Sequence, residues 1–145
     1  MVDDDLVRGL EAVLGDLVRS QRARARRLAQ ELHPRLEPAT YPLIVVLGRT
    51  GPQRLSSLVK ALELDKSTLS RQVDAAVRAG LVERVPDPDD ARARLVALTE
   101  DGRARFAEQH ETRLRRWRAS LEDWSVDDVS ELTRLLRRLV DSHPD

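Results

Sequence analysis

A short polar stretch after Asp65 carries the side chains that are best placed for hydrogen bonding to a partner. Asp65 can accept from the exposed amides of the next turn, so a helix is predicted to begin directly after it. Leu69 and Val73 begin a helical stripe that continues with Ala76 and Val77 and should face a core. The other side is rich in donors, which suit phosphates and base edges of nucleic acid. The candidate contact residues are Lys66, Ser67, Thr68, Ser70, Arg71 and Gln72.

Two of these side chains have the geometry for reading bases. Arginine can bind the edge of guanine through two hydrogen bonds and glutamine that of adenine, so Arg71 and Gln72 are the predicted base readers. Lys66, Ser67 and Thr68 stand in the first turn, where the end of a helix attracts anions, and are predicted to contact phosphate or both phosphate and base. Without its neighbours in the sequence, this stretch would equally suit a solvated helix face.

A two-stranded hairpin is predicted to follow this helix. Gly80 stands where a left-handed C-cap is favoured, and residues 81–85 alternate as in a strand. Two nearby prolines end that strand, and residues 87–91 have the composition of a turn. The chain then returns as a second strand over residues 92–98, so the hairpin projects from the helical part.

Three charged residues fall at or near the tip of this hairpin. Arg92 lies close to the tip, and an arginine in that position can enter a minor groove. Asp90 is placed to form an ion pair with Arg92, a surface contact that contributes little to stability. Arg94 follows on the same face of the strand and is predicted to reach a phosphate.

A second short helix is predicted directly upstream of Asp65. Leu55, Leu58 and Leu62 give it one apolar face, and Ser56 is its predicted N-cap. Only a few residues separate the two helices, so they must cross as a helix-turn-helix. In such a unit the second helix enters the major groove of DNA, which is wide enough for one helix.

These motifs together resemble those of one known family. The chain is similar to the MarR family of winged helix-turn-helix regulators in the pattern of the polar helix and in Gly80-Leu81-Val82-Glu83-Arg84, Asp90-x-Arg92, Leu98-Thr99 and Gly102. The resemblance spans nearly the whole chain. It implies a mainly α fold with a small β-hairpin wing, in which N- and C-terminal helices join two subunits and two winged domains bind a pseudo-palindromic DNA site. It also implies release of the DNA by a small molecule or an oxidant.

One departure from the family pattern lies in the polar helix itself. Family members commonly carry an arginine and a leucine where this chain has Ala75 and Ala76. The resulting helix is plainer and can pack closer to its neighbours. We expect DNA binding to survive the change and the sequence preference to differ.

The flanking segments are predicted to be helical. The apolar stripe from Asp4 to Leu32 is unbroken until His33-Pro34, which gives a first helix roughly 40 Å long. So long a helix cannot bury its whole stripe in a small domain, so part of it should pack on another subunit. A core helix follows, with Thr40 as its predicted N-cap and Gly51-Pro52 as its end.

Two further helices are predicted after the hairpin. One runs from Glu100 toward Leu121 with Thr99 as its cap, and the last restarts at Ser125. We therefore assign residues 1–36 and 100–145 to dimerisation helices. Residues 37–99 form the winged helix-turn-helix domain, and the whole is expected to be one continuous structural unit.

The composition limits the chemistry of the chain. There is no cysteine, which excludes disulfides, thiolate metal sites and cysteine-based sensing of oxidants. His33, His110 and His143 are scattered without the spacing of metal ligands, so neither a metal nor another cofactor is assigned. No apolar run approaches the roughly 18 residues of a membrane span, and the acidic N-terminus is unlike a signal peptide. A cytoplasmic protein, associated with the nucleoid when bound to DNA, is expected.

The signal that releases DNA is predicted by elimination to be a small aromatic or anionic effector rather than an oxidant. By resemblance to the family, its pocket would lie between the dimerisation helices and the winged domain. His33, Arg35 and Tyr41 are the predicted polar contacts there.

Charge counting leaves two functions open. The formal net charge is zero, and residues 53–99 contain eight basic side chains against seven acidic ones, so binding to DNA must depend on a few placed residues. The leading hypothesis is a dimeric, sequence-specific repressor that a ligand releases from DNA. The alternative is a winged-helix protein-interaction module without sequence-specific DNA binding. An enzyme has no support, because no nucleophile with a base, no paired carboxylates and no glycine-rich phosphate loop is present.

Overall fold

The computed structural model describes residues 3–142, and His143 lies outside this range. The chain folds into two compact units that divide after Gln109. The element order is α1 (Asp4–Leu32), a short 3₁₀ turn (Pro38–Thr40), α2 (Tyr41–Thr50), β1 (Gln53–Arg54), α3 (Leu55–Leu62), α4 (Lys66–Arg78), β2 (Val82–Asp87), β3 (Asp90–Leu98), α5 (Glu100–Ser120) and α6 (Val126–Asp141). The predicted mainly α fold with a small β wing is confirmed.

The core of the first unit lies among α2, α3, α4 and the sheet. Ile44 of α2, Leu58 of α3 and Leu69 of α4 are fully buried, together with Leu81 at the entry to β2. Burying each such side chain contributes about 1.5–3 kcal/mol, so this cluster fixes how the two short helices cross. The C-terminal end of α1 joins the same core through Leu28, Ala29 and Leu32.

Of two predicted helix caps, one is correct in position only and the other is wrong. Thr40 is the N-cap residue of α2, as predicted, but it is buried in a helical conformation and its side chain makes no capping hydrogen bond, because the 3₁₀ turn leads directly into α2. Ser56 lies inside the first turn of α3, where Arg54 occupies the N-cap position. The pairing of Arg54 with Leu95 holds that residue extended, so the helix begins immediately after the strand. In contrast, Ser125 forms a capping box with Asp128 at the start of α6.

The sheet has three strands rather than the two that were predicted. β1 pairs antiparallel with β3 through Gln53 and Arg54, and the strand order is β1-β3-β2. β2 also continues through Pro86 to Asp87, beyond its predicted end, because it is an edge strand that can accommodate a proline. The turn is correspondingly shorter and consists of residues 88–89.

The register of the wing contains a large irregularity. Pro86 pairs with Arg94, whereas the next residue of β2, Asp87, pairs with Asp90. Three residues of β3, numbers 91–93, therefore lie opposite a single step of β2. Arg92 is the middle one of the three, so it stands in a bulge near the tip instead of in a regular ladder.

Two helices expose long apolar stripes in the isolated chain. In α1 the exposed side chains include Leu6, at 68%, and Val13, and only the last turns of that helix are buried. In α6 none of the described residues is buried, and Val126 is 83% exposed. None of the helices in residues 3–142 is long and apolar enough to cross a membrane.

Candidate nucleic-acid interface

The start of α4 is fixed by Asp65, as predicted. Its carboxylate accepts from the backbone N–H of Thr68 at 2.8 Å, from the Ser67 hydroxyl at 2.5 Å and from the Thr68 hydroxyl at 2.6 Å. These hydrogen bonds hold the pKa of Asp65 well below its usual range, and the bond from Ser67 has the largest effect. Both hydroxyl protons are therefore donated to Asp65. In this arrangement Ser67 and Thr68 can only accept hydrogen bonds from a partner, and they must rotate their hydroxyl groups before they can donate to one.

The cationic side chains of α4 have more freedom to meet a partner. Lys66 is exposed, and among the described residues no hydrogen bond or ion pair involves its side chain. Arg71 is also exposed, and its guanidinium lies 3.4 Å from the Thr68 hydroxyl oxygen. Ser70 is half-buried on the flank of the helix. The outward face of α4 therefore offers Lys66 and Arg71 as its strongest donors.

The inward face of α4 follows the predicted stripe with one exception. Leu69, Val73 and Ala76 are buried, but Val77 is 37% exposed, so its assignment to the core is wrong. At 100° per residue Val77 lies about 70° from the centre of the three buried residues, at the edge of the stripe. The helix ends in a Schellman motif, in which the N–H groups of Gly80 and Leu81 donate to Val77 and Ala76.

Gln72 occupies a different position from Arg71. It is half-buried on the flank of α4 that faces the 3₁₀ turn, and its Oε1 is buried without a hydrogen-bond partner among the described residues. It lines a groove of about 480 Å³ between that turn and α4, which Glu37, Thr40, Arg71 and Arg78 also border. An unpaired buried acceptor is costly, but this oxygen is not exposed to the groove, so the groups that the groove offers to a ligand are chiefly the guanidiniums of Arg71 and Arg78.

The wing residues are held in a way that the sequence pattern did not specify. The Asp90 carboxylate accepts from the backbone N–H of Arg92 at 3.0 Å, so it holds the arginine by its main chain rather than by its guanidinium. Arg92 and Arg94 are both exposed. Both guanidinium groups can therefore turn toward an external anion.

Sequence reasoning missed the ion pair that braces the wing. Asp87, whose side chain is 3% exposed, accepts from the Arg54 guanidinium at 2.6 Å and from the backbone N–H of Asp89 at 2.9 Å. The Asp89 bond, followed by Arg54, lowers the pKa of Asp87. The Asp-Pro-Asp sequence signals the turn, but nothing marks Arg54, 33 residues earlier, as its partner. This pair ties the hairpin tip to the strand that precedes α3.

A second missed pair joins the wing to α4. Arg84 of β2 donates to Asp74 of α4 at 2.7 Å. Both side chains are more than a third exposed, so the pair adds little to stability. Its geometric effect is to join the base of the wing to the helix with the candidate base readers.

The three residues predicted to contact an effector have different structural roles and do not form one pocket. Arg35 is exposed and donates its backbone N–H to Nδ1 of His33, which itself closes α1. Tyr41 is buried and donates its hydroxyl to Gln109, which in turn donates to the carbonyl of Leu28 at 2.6 Å. None of the three predicted residues lines the groove beside Gln72. Among residues 3–142 there is no cluster of three potential metal ligands.

The helix-turn-helix of α3 and α4 is followed by the hairpin of β2 and β3 and then by α5. This order defines a winged helix-turn-helix protein. The sequence model of the MarR family matches residues 36–93. The uncharacterized HTH-type transcriptional regulator YxaD of Bacillus subtilis is 35% identical over 104 residues, which cover 72% of this chain and 73% of that protein. The chain therefore belongs to the MarR family and is a transcriptional regulator.

Other relatives and solved structures agree with this assignment. The multiple antibiotic resistance protein MarR of Salmonella typhimurium is 33% identical over 84 residues, 57% of this chain and 58% of its own length. A MarR family protein from Bacillus stearothermophilus superposes with a TM-score of 0.82 at 26% identity and covers 98% of both chains. The shared fold thus extends beyond the winged part to the flanking helices.

Proposed function

We propose that this regulator is a dimeric repressor that binds a pseudo-palindromic DNA site and is released by a small molecule. The observation that carries the proposal is the exposed, cationic start of α4, with Lys66 and Arg71 beside a braced wing that presents Arg92 and Arg94. A helix with this face suits the major groove, and an arginine from the wing suits the adjacent minor groove. Ser67, Thr68, Ser70, Gln72 and Asp90 complete the proposed interface.

Two comparisons support parts of this proposal. A MarR family regulator from Listeria monocytogenes, solved in complex with a 26mer DNA, has the same fold with a TM-score of 0.74 at 18% identity. The transcriptional repressor NicR of Pseudomonas putida is 28% identical over 131 residues, which cover 89% of this chain. Repression and binding to double-stranded DNA are carried over to this chain as proposals.

The proposed dimer rests on the uncovered apolar stripes. Leu6, Leu10 and Leu17 of α1 are exposed along one helix, and Leu135 and Leu136 of α6 along another. Contiguous apolar surface of this kind is characteristic of an interface. We assign residues 1–36 and 100–145 to dimerisation and 37–99 to DNA binding. A two-fold arrangement would place half-sites about one helical turn, roughly 10 base pairs, apart. Such a protein would act in the cytoplasm, on the nucleoid.

Selection of bound sequences from random duplex DNA tests the proposal. We expect an inverted repeat, whose symmetry would reflect a dimer, and an affinity that falls steeply with salt because phosphate contacts release counterions. Mutation of one half-site should then remove the DNA contacts of one subunit and weaken the binding of the dimer. Recovery of no motif, or binding that salt does not change, would refute the repressor. That result would favour the alternative, a protein-interaction module, which the zero net charge supports.

The release of DNA is proposed to occur by occupation of the groove beside Gln72. A ligand with an anionic group for Arg71 or Arg78 would fit its chemistry. Because Arg71 and Gln72 are also proposed base readers, such a ligand would compete directly with the operator. The sequence-based site at His33, Arg35 and Tyr41 is the alternative location.

A thermal-shift screen with small aromatic acids, phenols and cationic drugs tests this step. A compound that binds the folded protein should raise its melting temperature with concentration and should lower its affinity for the selected duplex. Replacement of Gln72 by leucine should weaken the shift if the groove is the site. A shift that persists in this variant but is lost in Tyr41→Phe would favour the alternative location instead.

A further inference from the structure

A second groove of the first unit lies on the other side of the start of α4. It has a volume of about 470 Å³, and its polar lining comes from Arg54, Ser56, Lys60, Lys66 and Arg94. The remaining lining residues are Leu55, Val59 and Ala93. We infer that this groove, called the backbone groove below, holds phosphates of the DNA strand that runs between α4 and the wing. The inference rests on the proposed function and names binding residues beyond those predicted from sequence.

Charge is the first argument for this occupant. Four of the eight lining residues are cationic and none is acidic, although residues 53–99 as a whole are nearly balanced. Arg54 is partly neutralised by Asp87, but Lys60, Lys66 and Arg94 have no acidic partner within 4 Å among the described residues. The local positive charge that an overall count conceals is therefore concentrated in one groove, which suits a polyanion.

The geometry of DNA supplies the second argument. The major and minor grooves of a duplex are separated by one sugar-phosphate backbone. If α4 enters the major groove and the wing enters the adjacent minor groove, that backbone must pass between them. The backbone groove has Lys66, the first residue of α4, on one side and Arg94, on the strand that carries Arg92, on the other. It therefore occupies the place where the strand must cross.

The start of α3 supplies a third argument. No side chain of the described residues caps this helix, whose N-cap is Arg54, so the amides of its first turn lack a side-chain acceptor. Leu55 and Ser56 of that turn line the groove. Backbone amides at a helix start bind phosphate oxygens well, and the Ser56 hydroxyl adds another donor. An apolar floor from Val59 and Ala93 is compatible with the deoxyribose between two phosphates.

Lys60 is the residue that tests the inference most cleanly. Replacement of Arg54 would leave the buried Asp87 carboxylate unpaired and disturb the wing, and Lys66 and Arg94 already belong to the proposed interface. Lys60 is exposed on α3, and none of the motifs of the sequence singles it out. Its substitution should leave the fold intact.

The experiment compares wild type, Lys60→Gln and Lys60→Arg on the duplex recovered by selection and on a scrambled duplex. Affinity is measured by fluorescence anisotropy from 50 to 200 mM salt, after circular dichroism has verified folding. For Lys60→Gln we expect the slope of log affinity against log salt to decrease in magnitude by about 0.9 for each groove that contacts DNA. The loss of affinity should be equal on both duplexes, and Lys60→Arg should restore the slope.

Arg49→Gln is the charge-matched control. Arg49 is exposed in α2, lines neither of the two grooves and belongs to neither the proposed interface nor the dimerisation helices, so its loss should leave the slope unchanged. A wild-type slope in Lys60→Gln, or an equal change of slope in this variant and the control, would show that the backbone groove does not hold phosphates. The proposal that the protein binds DNA would not be affected by that result. If wild type selects no sequence and shows no salt dependence, the proposed function fails instead, so the two failures are distinguishable.

Discussion

Arg71→Ala is expected to remove most of the discrimination between the selected operator and a site with one changed base pair. A bidentate contact of arginine with guanine contributes about 1–3 kcal/mol of discrimination, so the ratio of the two affinities should fall by roughly 5- to 150-fold. The reason is positional: Arg71 is exposed on the outward face of α4, one turn beyond the capped start of the helix. Dissociation constants for both duplexes at one salt concentration would measure the effect.

Arg92→Ala provides the matched comparison, because it removes the same side chain from the wing. Arg92 stands in the bulge near the tip, where Asp90 fixes its main chain, and a minor groove offers fewer distinguishing groups than a major groove. We expect weaker binding to all duplexes and little change in discrimination. Equal and negligible effects of the two substitutions would contradict the roles that we assign to α4 and the wing.

Gly102→Ala should destabilise the winged unit strongly, in contrast to the usual effect of this change in a helix. A Cβ at position 102 would overlap the carbonyl oxygen of Leu81 and lie 3.0 Å from its carbonyl carbon. Leu81 also accepts from the N–H of Thr99, and the Thr99 hydroxyl donates to the carbonyl of Gly80. Because the two nearest atoms belong to the main chain of Leu81, the clash can be relieved only by a shift of α5 away from the sheet. Urea unfolding should show a loss of about 1–3 kcal/mol or more.

Gly9→Ala is the appropriate control. Gly9 also lies within a helix, but a Cβ there would meet no heavy atom within 4 Å apart from its chain neighbours and the backbone of its own helix. It should stabilise the protein by up to about 1 kcal/mol, because alanine favours a helix over glycine. Similar unfolding midpoints for the two variants would show that the contact between Gly102 and Leu81 relaxes without cost.

Local patterns predicted the helical frame of this protein well. α1 begins and ends as the stripe from Asp4 to Leu32 indicates, and Asp65 and Gly80 cap α4 by interactions within a few residues. The errors arose where distant segments decide. Whether Ser56 caps a helix depends on the pairing of the preceding strand with β3, and that strand is only two residues long. Too short a strand leaves no periodicity to detect.

The candidate site shows the same division. Lys66 and Arg71 could be placed outward from helical spacing alone, because the opposite face is clearly apolar. Gln72 follows the same pattern, yet the 3₁₀ turn from another part of the chain covers its flank and buries Oε1. The backbone groove could not be predicted from the sequence for the same reason. It combines residues of α3, α4 and the wing that are up to 40 positions apart.

The brace between Arg54 and Asp87 also constrains how relatives of this regulator can diverge. Loss of the arginine would leave a buried carboxylate unpaired, and loss of the aspartate would detach the hairpin tip from β1. Neither single replacement is neutral, whereas a joint exchange for two apolar residues of similar volume can be. Substitutions at these two positions should consequently be inherited together. In an alignment of homologues, this covariation would link the start of α3 to the wing.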